Sequence, residues 1–153
     1  MKSFFLLLSY LCLIGFGCAT NSKLAKNEEG VPKKETHSEI KTAILGDNNQ
    51  TSILTTIYKV DLTDNVLRME IGYAGGCAKH EFELIGSELI SKSLPPIRSI
   101  NLIHKTLEEE SCKRAMYDTL YFDLRNLAYQ KSNGSVIKLN LAGWKEQITY
   151  SFE

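Results

Sequence analysis

The sequence has no surplus of charge of either sign and none of the common catalytic fingerprints. Eighteen Lys and Arg residues balance eighteen Asp and Glu residues, which gives a formal net charge of zero at pH 7. The cations Arg98, Lys113 and Arg114 form only a small basic patch without an aromatic stacking platform, so we expect no nucleic-acid partner. At 153 residues with 43% hydrophobic content, the chain is sized for one globular domain.

No recognisable arrangement of catalytic residues is present. Nothing matches a phosphate-binding loop, a dinucleotide fingerprint, a nucleophile elbow or a zinc-protease helix. Ser99, Asp118 and Asp123 supply suitable residue types but no spacing typical of an active site. We therefore expect a protein that is not an enzyme, with no catalytic residues and no cofactor.

Long apolar runs are absent except at the N-terminus. Lys2 precedes an almost unbroken apolar run from Phe4 to Phe16, and Gly15 and Gly17 supply small residues just before Cys18. This order is typical of a secretory signal peptide, and the run falls short of the roughly 20 residues that a membrane-spanning helix needs. We predict that residues 1–17 are an export signal.

The Gly17-Cys18 pair at the end of this segment resembles the lipobox of bacterial lipoproteins. The resemblance implies that Cys18 becomes the lipid-modified first residue of the mature chain, carrying palmitate-type acyl chains that anchor it stably in a membrane. The residue after the cysteine is Ala19 and not Asp, which in the enterobacterial pattern implies transport to the outer membrane. An ordinary cleaved signal with Cys18 near the cut is the alternative.

The chain then divides into a polar segment and a β-rich domain. Residues 18–49 are rich in Asn, Ser, Lys and Glu and have few aliphatic side chains, which predicts a flexible tether. From residue 50 to residue 153, apolar residues alternate with polar ones, as in half-buried strands. In the first such strand, one face would consist of Leu54, Thr56, Tyr58, Val60 and Leu62. About seven such strands predict an all-β fold, an antiparallel β-sandwich.

Turn signals separate the predicted strands. The Leu62-Thr63-Asp64-Asn65 segment predicts a hairpin, and so does Asn133-Gly134. Residues 86–96 are predicted to be a loop because Pro95-Pro96 cannot donate to a central ladder. Near the C-terminus, alternating apolar residues on either side of Gly143 predict a last strand pair.

Cysteine counting leaves two thiols in the folded part. Cys12 lies in the signal and Cys18 would carry lipid, so only Cys77 and Cys112 remain. In an oxidising compartment two such thiols form a disulfide by default. Gly75-Gly76 just before Cys77 permits a tight turn, and successive glycines can also form an anion-binding nest.

Two histidines continue apolar strand faces. His80 shares the parity of Phe82, and His104 shares that of Leu102, so both should point inward at strand ends. They are then either buried hydrogen-bonded side chains beside the disulfide or, with Cys77 and Cys112, a Cys2His2 site for zinc or copper. The spacing from His104 to Cys112 is longer than in the usual structural zinc motif.

The run Gly75-Gly76-Cys77-x-x-His80-x-Phe82 is similar to that of uncharacterised bacterial envelope proteins. The resemblance implies one exported domain and brings no catalytic residues. We expect a non-catalytic envelope lipoprotein that binds an envelope protein or a small ligand, or that has a structural role. The alternative function is copper or zinc binding.

Overall fold

The structure, a computed structural model, describes residues 39–153; the predicted signal, Cys18 and most of the tether lie outside this range. Nine strands and one short 3₁₀ helix follow one another along the described chain. The strands are β1 (Ile40–Thr42), β2 (Ile44–Leu45), β3 (Thr55–Thr63), β4 (Val66–Gly75), β5 (His80–Ser91), β6 (Ile97–Thr106), β7 (Arg114–Asp123), β8 (Val136–Leu141) and β9 (Ile148–Ser151), and the 3₁₀ helix is Arg125–Leu127. No helix among residues 39–153 is long and apolar enough to cross a membrane.

The strands form two sheets around one core. Four strands lie in the order β1-β7-β4-β3 and five in the order β2-β5-β6-β8-β9. The all-β prediction is confirmed, but the sheets are mixed, because β1 pairs with β7, β2 with β5, and β6 with β8 in parallel. The two extra strands, β1 and β2, lie in the stretch that the composition assigned to the tether. They are too short to give a periodic signal, and pairing with distant strands orders them.

The core fills the space between the sheets. Leu67, Met69 and Ile71 of β4 belong to the same buried cluster as Leu84 of β5 and Ile100 of β6. Burying side chains of this size stabilises a fold by about 1.5–3 kcal/mol each. The alternation that predicted these strands therefore corresponds to a shared apolar layer.

A β-bulge in β3 reverses the face predicted for its first half. The register with β4 shifts between Ile57 and Lys59, so the extra residue, Tyr58, changes the parity of the strand. Leu54 is 87% exposed and Tyr58 is 55% exposed, whereas Ile57 and Val60 pack on the core. The prediction that Leu54 and Tyr58 share a face with Val60 was wrong for this reason.

The turns agree only in part with the sequence signals. The β3–β4 hairpin forms as predicted, with Asp64 in the left-handed region at φ 51°. The β8–β9 pair also forms, with Ile137 opposite Tyr150. Asn133-Gly134 is a turn, but no described strand directly precedes it, so it closes no hairpin. The predicted loop of residues 86–96 was wrong in its first half, because β5 continues to Ser91 past a register shift.

Candidate functional site

A disulfide closes one end of the sandwich, as the sequence analysis predicted. Cys77 lies in the turn between β4 and β5, and Cys112 lies in the connection between β6 and β7. The two sulfur atoms are bonded, the Cα atoms lie 5.5 Å apart, and the two positions are separated by 35 in the sequence. The bond therefore ties two connections to each other.

The two histidines point inward and are connected to this end of the sandwich through Glu110. His104 is completely buried, and the His80 side chain is only 7% exposed. His80 Nδ1 and His104 Nε2 are 2.8 Å apart. The ring of Phe82 stacks on His104 at a centroid distance of 4.4 Å, and Tyr73 packs against both imidazoles. The inward parity predicted from the strand pattern is confirmed.

The nest formed after Gly75-Gly76 holds a carboxylate of the protein itself. Glu110 Oε2 accepts hydrogen bonds from the backbone N–H groups of Gly76, Ala78 and Cys77 at 3.0, 3.3 and 3.4 Å. Its Oε1 accepts from the N–H of Cys112 at 2.7 Å. These N–H groups, that of Cys112 first, lower the pKa of Glu110 to about 2. The Glu110 carboxylate thus links the two segments that the disulfide also joins.

Gly75 makes room for this arrangement. A Cβ atom at Gly75 would lie 2.6 Å from His80 Nε2 and 2.8 Å from Glu110 Oε2. Contacts that short would force the imidazole or the carboxylate to move. The glycine pair therefore has two roles, since Gly76 adopts the positive φ of 111° that the turn requires.

A chain of hydrogen bonds runs from Glu110 through both imidazoles to Thr55. Glu110 Oε2 lies 2.9 Å from His80 Nε2, and Thr55 Oγ1 lies 2.8 Å from His104 Nδ1. With both rings neutral, Thr55 donates to His104, His104 donates to His80, and His80 donates to the carboxylate. With His80 protonated, the His80–His104 and His104–Thr55 bonds reverse, and Thr55 can donate to the carbonyl of Ile53 at 3.2 Å. The network is complete in either state.

The environment of His104 favours its uncharged form. Burial first, and then the neighbouring His80, lower the pKa of His104 to about 4. Burial, together with the hydrogen bond that its hydroxyl donates to Asp118 at 2.6 Å, raises the pKa of Tyr73. Among the described residues, no buried side-chain nitrogen or oxygen lacks a hydrogen-bond partner. The cluster is therefore saturated from within.

The geometry does not favour the four-residue metal site. Cys77 and Cys112 are bonded to each other, so neither offers a thiolate. All four ring nitrogens of His80 and His104 are engaged in hydrogen bonds. The potential ligand atoms that do lie within 4.8 Å of one another belong to Cys77, Glu110 and Cys112, and two of these are the disulfide sulfurs.

A second feature lies on the outer face of the four-stranded sheet. A cleft of about 380 Å³ crosses β3, β4 and β7. Tyr58 and Tyr117 pack against each other, with ring centroids 5.9 Å apart, and together form one wall, and Leu54 also lines the cleft. The floor is formed by small residues, among them Ala74 and Ala115. The cleft exists because small side chains separate large ones.

Gly72 determines the position of one wall. A Cβ atom at Gly72 would lie 2.6 Å from Cε2 of Tyr58, so the tyrosine ring lies directly over the glycine. The β3 bulge brings Tyr58 to this face. The alternating pattern of the sequence places Tyr58 and Leu54 on the same face as Val60, so the cleft is not apparent from the sequence.

The other half of this sheet face is charged and paired. Asp61 accepts from Lys59 at 2.9 Å and from Arg68 at 3.1 Å, and Arg68 also contacts Glu70 at 2.6 Å. These exposed pairs contribute little stability. The face of the four-stranded sheet therefore has two halves: in one, the charged side chains pair with each other, and in the other, aromatic rings are exposed.

Sequence reasoning found part of the histidine cluster. It identified Cys77, His80, His104 and Cys112 by counting and parity, and the structure brings them to one end of the sandwich. It missed Thr55 and also Glu110, which is the last of three consecutive acidic residues in the sequence. Glu110 stands two residues before Cys112, and that spacing was the available signal.

Comparison with known proteins gives the fold. No protein-family model matches the chain, and no curated protein is significantly similar to it in sequence. A NigD-like immunity protein from Bacteroides caccae superposes with a TM-score of 0.54 at 14% identity, over 76% of this chain and 65% of that one. A protein of unknown function (DUF1344) from Bacteroides vulgatus superposes with a TM-score of 0.51 at 18% identity, over 76% and 57%.

A predicted lipoprotein from Bacteroides fragilis superposes more loosely, with a TM-score of 0.43 at 11% identity, over 74% of this chain and 70% of that one. The chain covers less than two thirds of the first two proteins. At these identities the first two likenesses show that the fold is shared and nothing more.

Proposed function

We propose that this protein is a membrane-anchored envelope lipoprotein whose β-sandwich is a non-catalytic binding module. The observation that carries the proposal is the aromatic cleft on the outer face of the four-stranded sheet. Leu54, Tyr58 and Tyr117 are 87%, 55% and 68% exposed and adjacent. Contiguous exposed apolar side chains of this size are typical of binding surfaces.

The histidine cluster, which shares Tyr73 with the cleft, supports a structural role for the interior at this end of the domain. Its carboxylate accepts hydrogen bonds from four backbone N–H groups. Its imidazoles form hydrogen bonds with each other and with Thr55. Groups that are satisfied in this way fix the two connections at one end of the sandwich. We assign them to stability and not to catalysis.

The proposed anchor is acylated Cys18, with the membrane as the partner of the lipid. Labelling with palmitate and fractionation of the native host test this anchor. Treatment with globomycin should also cause a larger precursor to accumulate. Cys18→Ser should abolish the label and release the protein from the membrane fraction. A mature native protein without lipid would contradict the anchor but would leave the cleft proposal standing.

Photo-crosslinking in the native host tests the binding proposal. A benzophenone amino acid in place of Tyr117 should give a discrete adduct, since its side chain would line the cleft. The same amino acid in place of Thr149, an exposed position on the other sheet, serves as the control and should give none. Equal adducts at both positions, or none at position 117, would contradict the proposal.

The alternative function, zinc or copper binding through Cys77, His80, His104 and Cys112, requires reduced thiols. Intact mass after alkylation without reductant, together with metal analysis of the envelope-purified protein, separates the two functions. Two alkylated thiols with stoichiometric metal would replace the structural role proposed for the Cys–His cluster.

A further inference from the structure

We infer that the aromatic cleft receives a polypeptide segment that presents an apolar side chain beside a carboxylate. This inference rests on the proposed binding function and adds the chemistry of the partner. It follows from the shape of the cleft, from its single charge and from the bulged edge strand beside it.

The shape of the cleft suits an apolar side chain. Tyr58 and Tyr117 pack against each other at a centroid distance of 5.9 Å, beside a floor that includes Ala74 and Ala115, so an incoming side chain would lie over the small residues and against the ring pair. The packing of Tyr58 over Gly72 holds one wall in position before anything binds. Tyrosine gives a large contact area with little loss of conformational entropy, and it is enriched at energetically dominant interface positions.

The charge of the cleft favours a carboxylate. Lys113 is the one charged residue among those lining the cleft, and within residues 39–153 it forms no ion pair. The nearest acid along β7, Asp118, accepts the hydroxyl of Tyr73. An incoming acidic group would therefore meet an ammonium group that no acid within the described part of the chain pairs with, and such complementarity sets register and specificity.

The bulged edge argues against simple strand addition. β3 is an edge strand of its sheet, and edges can recruit an extended chain through backbone hydrogen bonds. The register shift at Tyr58 interrupts the regular spacing of those groups. A partner held by side chains across the face of the sheet, and not a second copy joined edge to edge, is the occupant that this geometry fits.

Selection of peptides by the purified full-length protein tests the inference. A displayed library of random dodecapeptides should yield binders that share an aliphatic or aromatic residue next to Asp or Glu. Tyr117→Ala and Lys113→Glu should each weaken binding of a selected peptide about tenfold, whereas Thr149→Ala should not change it. These side chains are exposed, so circular dichroism and the melting temperature should show that each variant is folded.

A charge exchange gives the decisive comparison. A peptide whose acid is replaced by Lys should bind the Lys113→Glu protein better than the native protein. Failure to select any peptide, binders without an acid, or equal binding to the Tyr117→Ala and native proteins would each overturn the inference.

The crosslinked adduct at position 117 distinguishes failure of this inference from failure of the proposed function. If no specific adduct forms, the binding function fails. If an adduct forms but protease does not digest the added mass, the partner is a glycan or lipid, and only the peptide inference fails. An adduct that contains only two copies of this chain would identify a self-interface and would also overturn it.

Discussion

Loss of the Cys77–Cys112 bridge should destabilise the domain by an amount that the topology sets. The bond closes a loop of 35 residues, and the chain-entropy estimate for that length is about 13 cal/mol/K, or about 4 kcal/mol at 25 °C. That is a large part of the ~5–15 kcal/mol stability typical of a small domain. The loop contains the whole β5–β6 hairpin, so reduction gives this segment more conformational freedom in the unfolded chain.

Urea unfolding of four proteins measures this effect. The native protein, Cys77→Ala, Cys112→Ala and the double variant are compared, and with a urea slope of about 2 kcal/mol/M the midpoint should fall by about 2 M. Alanine keeps the backbone N–H of Cys112 that Glu110 accepts. The native protein in reductant provides a fifth measurement without any substitution.

The pattern among the variants is the sharper test. Removing either partner of a disulfide opens the same loop, so each single variant and the double variant should lose the same stability. If the two losses add in the double variant, the cysteines contribute through separate packing and not through a bond. A loss below about 1 kcal/mol would refute the entropic reasoning itself.

Three further predictions concern the residues beside the bridge. Because the pKa of His104 falls from 6.5 to about 4 on folding, the free energy of unfolding should fall by about 3 kcal/mol as the pH drops from 6.5 to 4. Urea unfolding at a series of pH values should show this decline in the native protein and not in His104→Gln. A native protein whose stability does not change over this range would contradict the prediction. Because the pKa of Glu110 is lowered in the folded protein, the free energy of unfolding should fall further between pH 4.5 and 2. Glu110→Gln should be less stable at pH 7 and should lack this second decline. If the variant and the native protein lose the same stability between pH 4.5 and 2, the role of the nest is contradicted. Gly75→Ala should lower the free energy of unfolding by about 2 kcal/mol through overpacking. Gly46→Ala should melt near the native temperature, because a Cβ atom at Gly46 would meet only an ordinary contact at 3.7 Å. Equal melting temperatures for the two variants would contradict the close approach at Gly75.

The local pattern of the sequence was enough for most strands and for the direction of the key side chains. Alternation located β4 and β6, and parity placed His80 and His104 inside, because side-chain direction in a strand repeats every two residues. Counting cysteines after removal of the signal and lipid positions left a single pairing. These features depend only on neighbours in the chain or on simple elimination.

The tertiary structure decided the features that depend on distant partners. One extra residue at Tyr58 turned Leu54 outward and created a wall of the cleft, and an insertion of one residue is invisible to a periodic pattern. Glu110 reads as one of three consecutive acids until folding brings the Gly76 turn to it across 34 positions. Hydrogen-bond partners and strand register are set by contacts between remote segments. The sequence therefore determined the direction of side chains within regular strands, and the fold decided what those side chains meet and where a bulge reverses them.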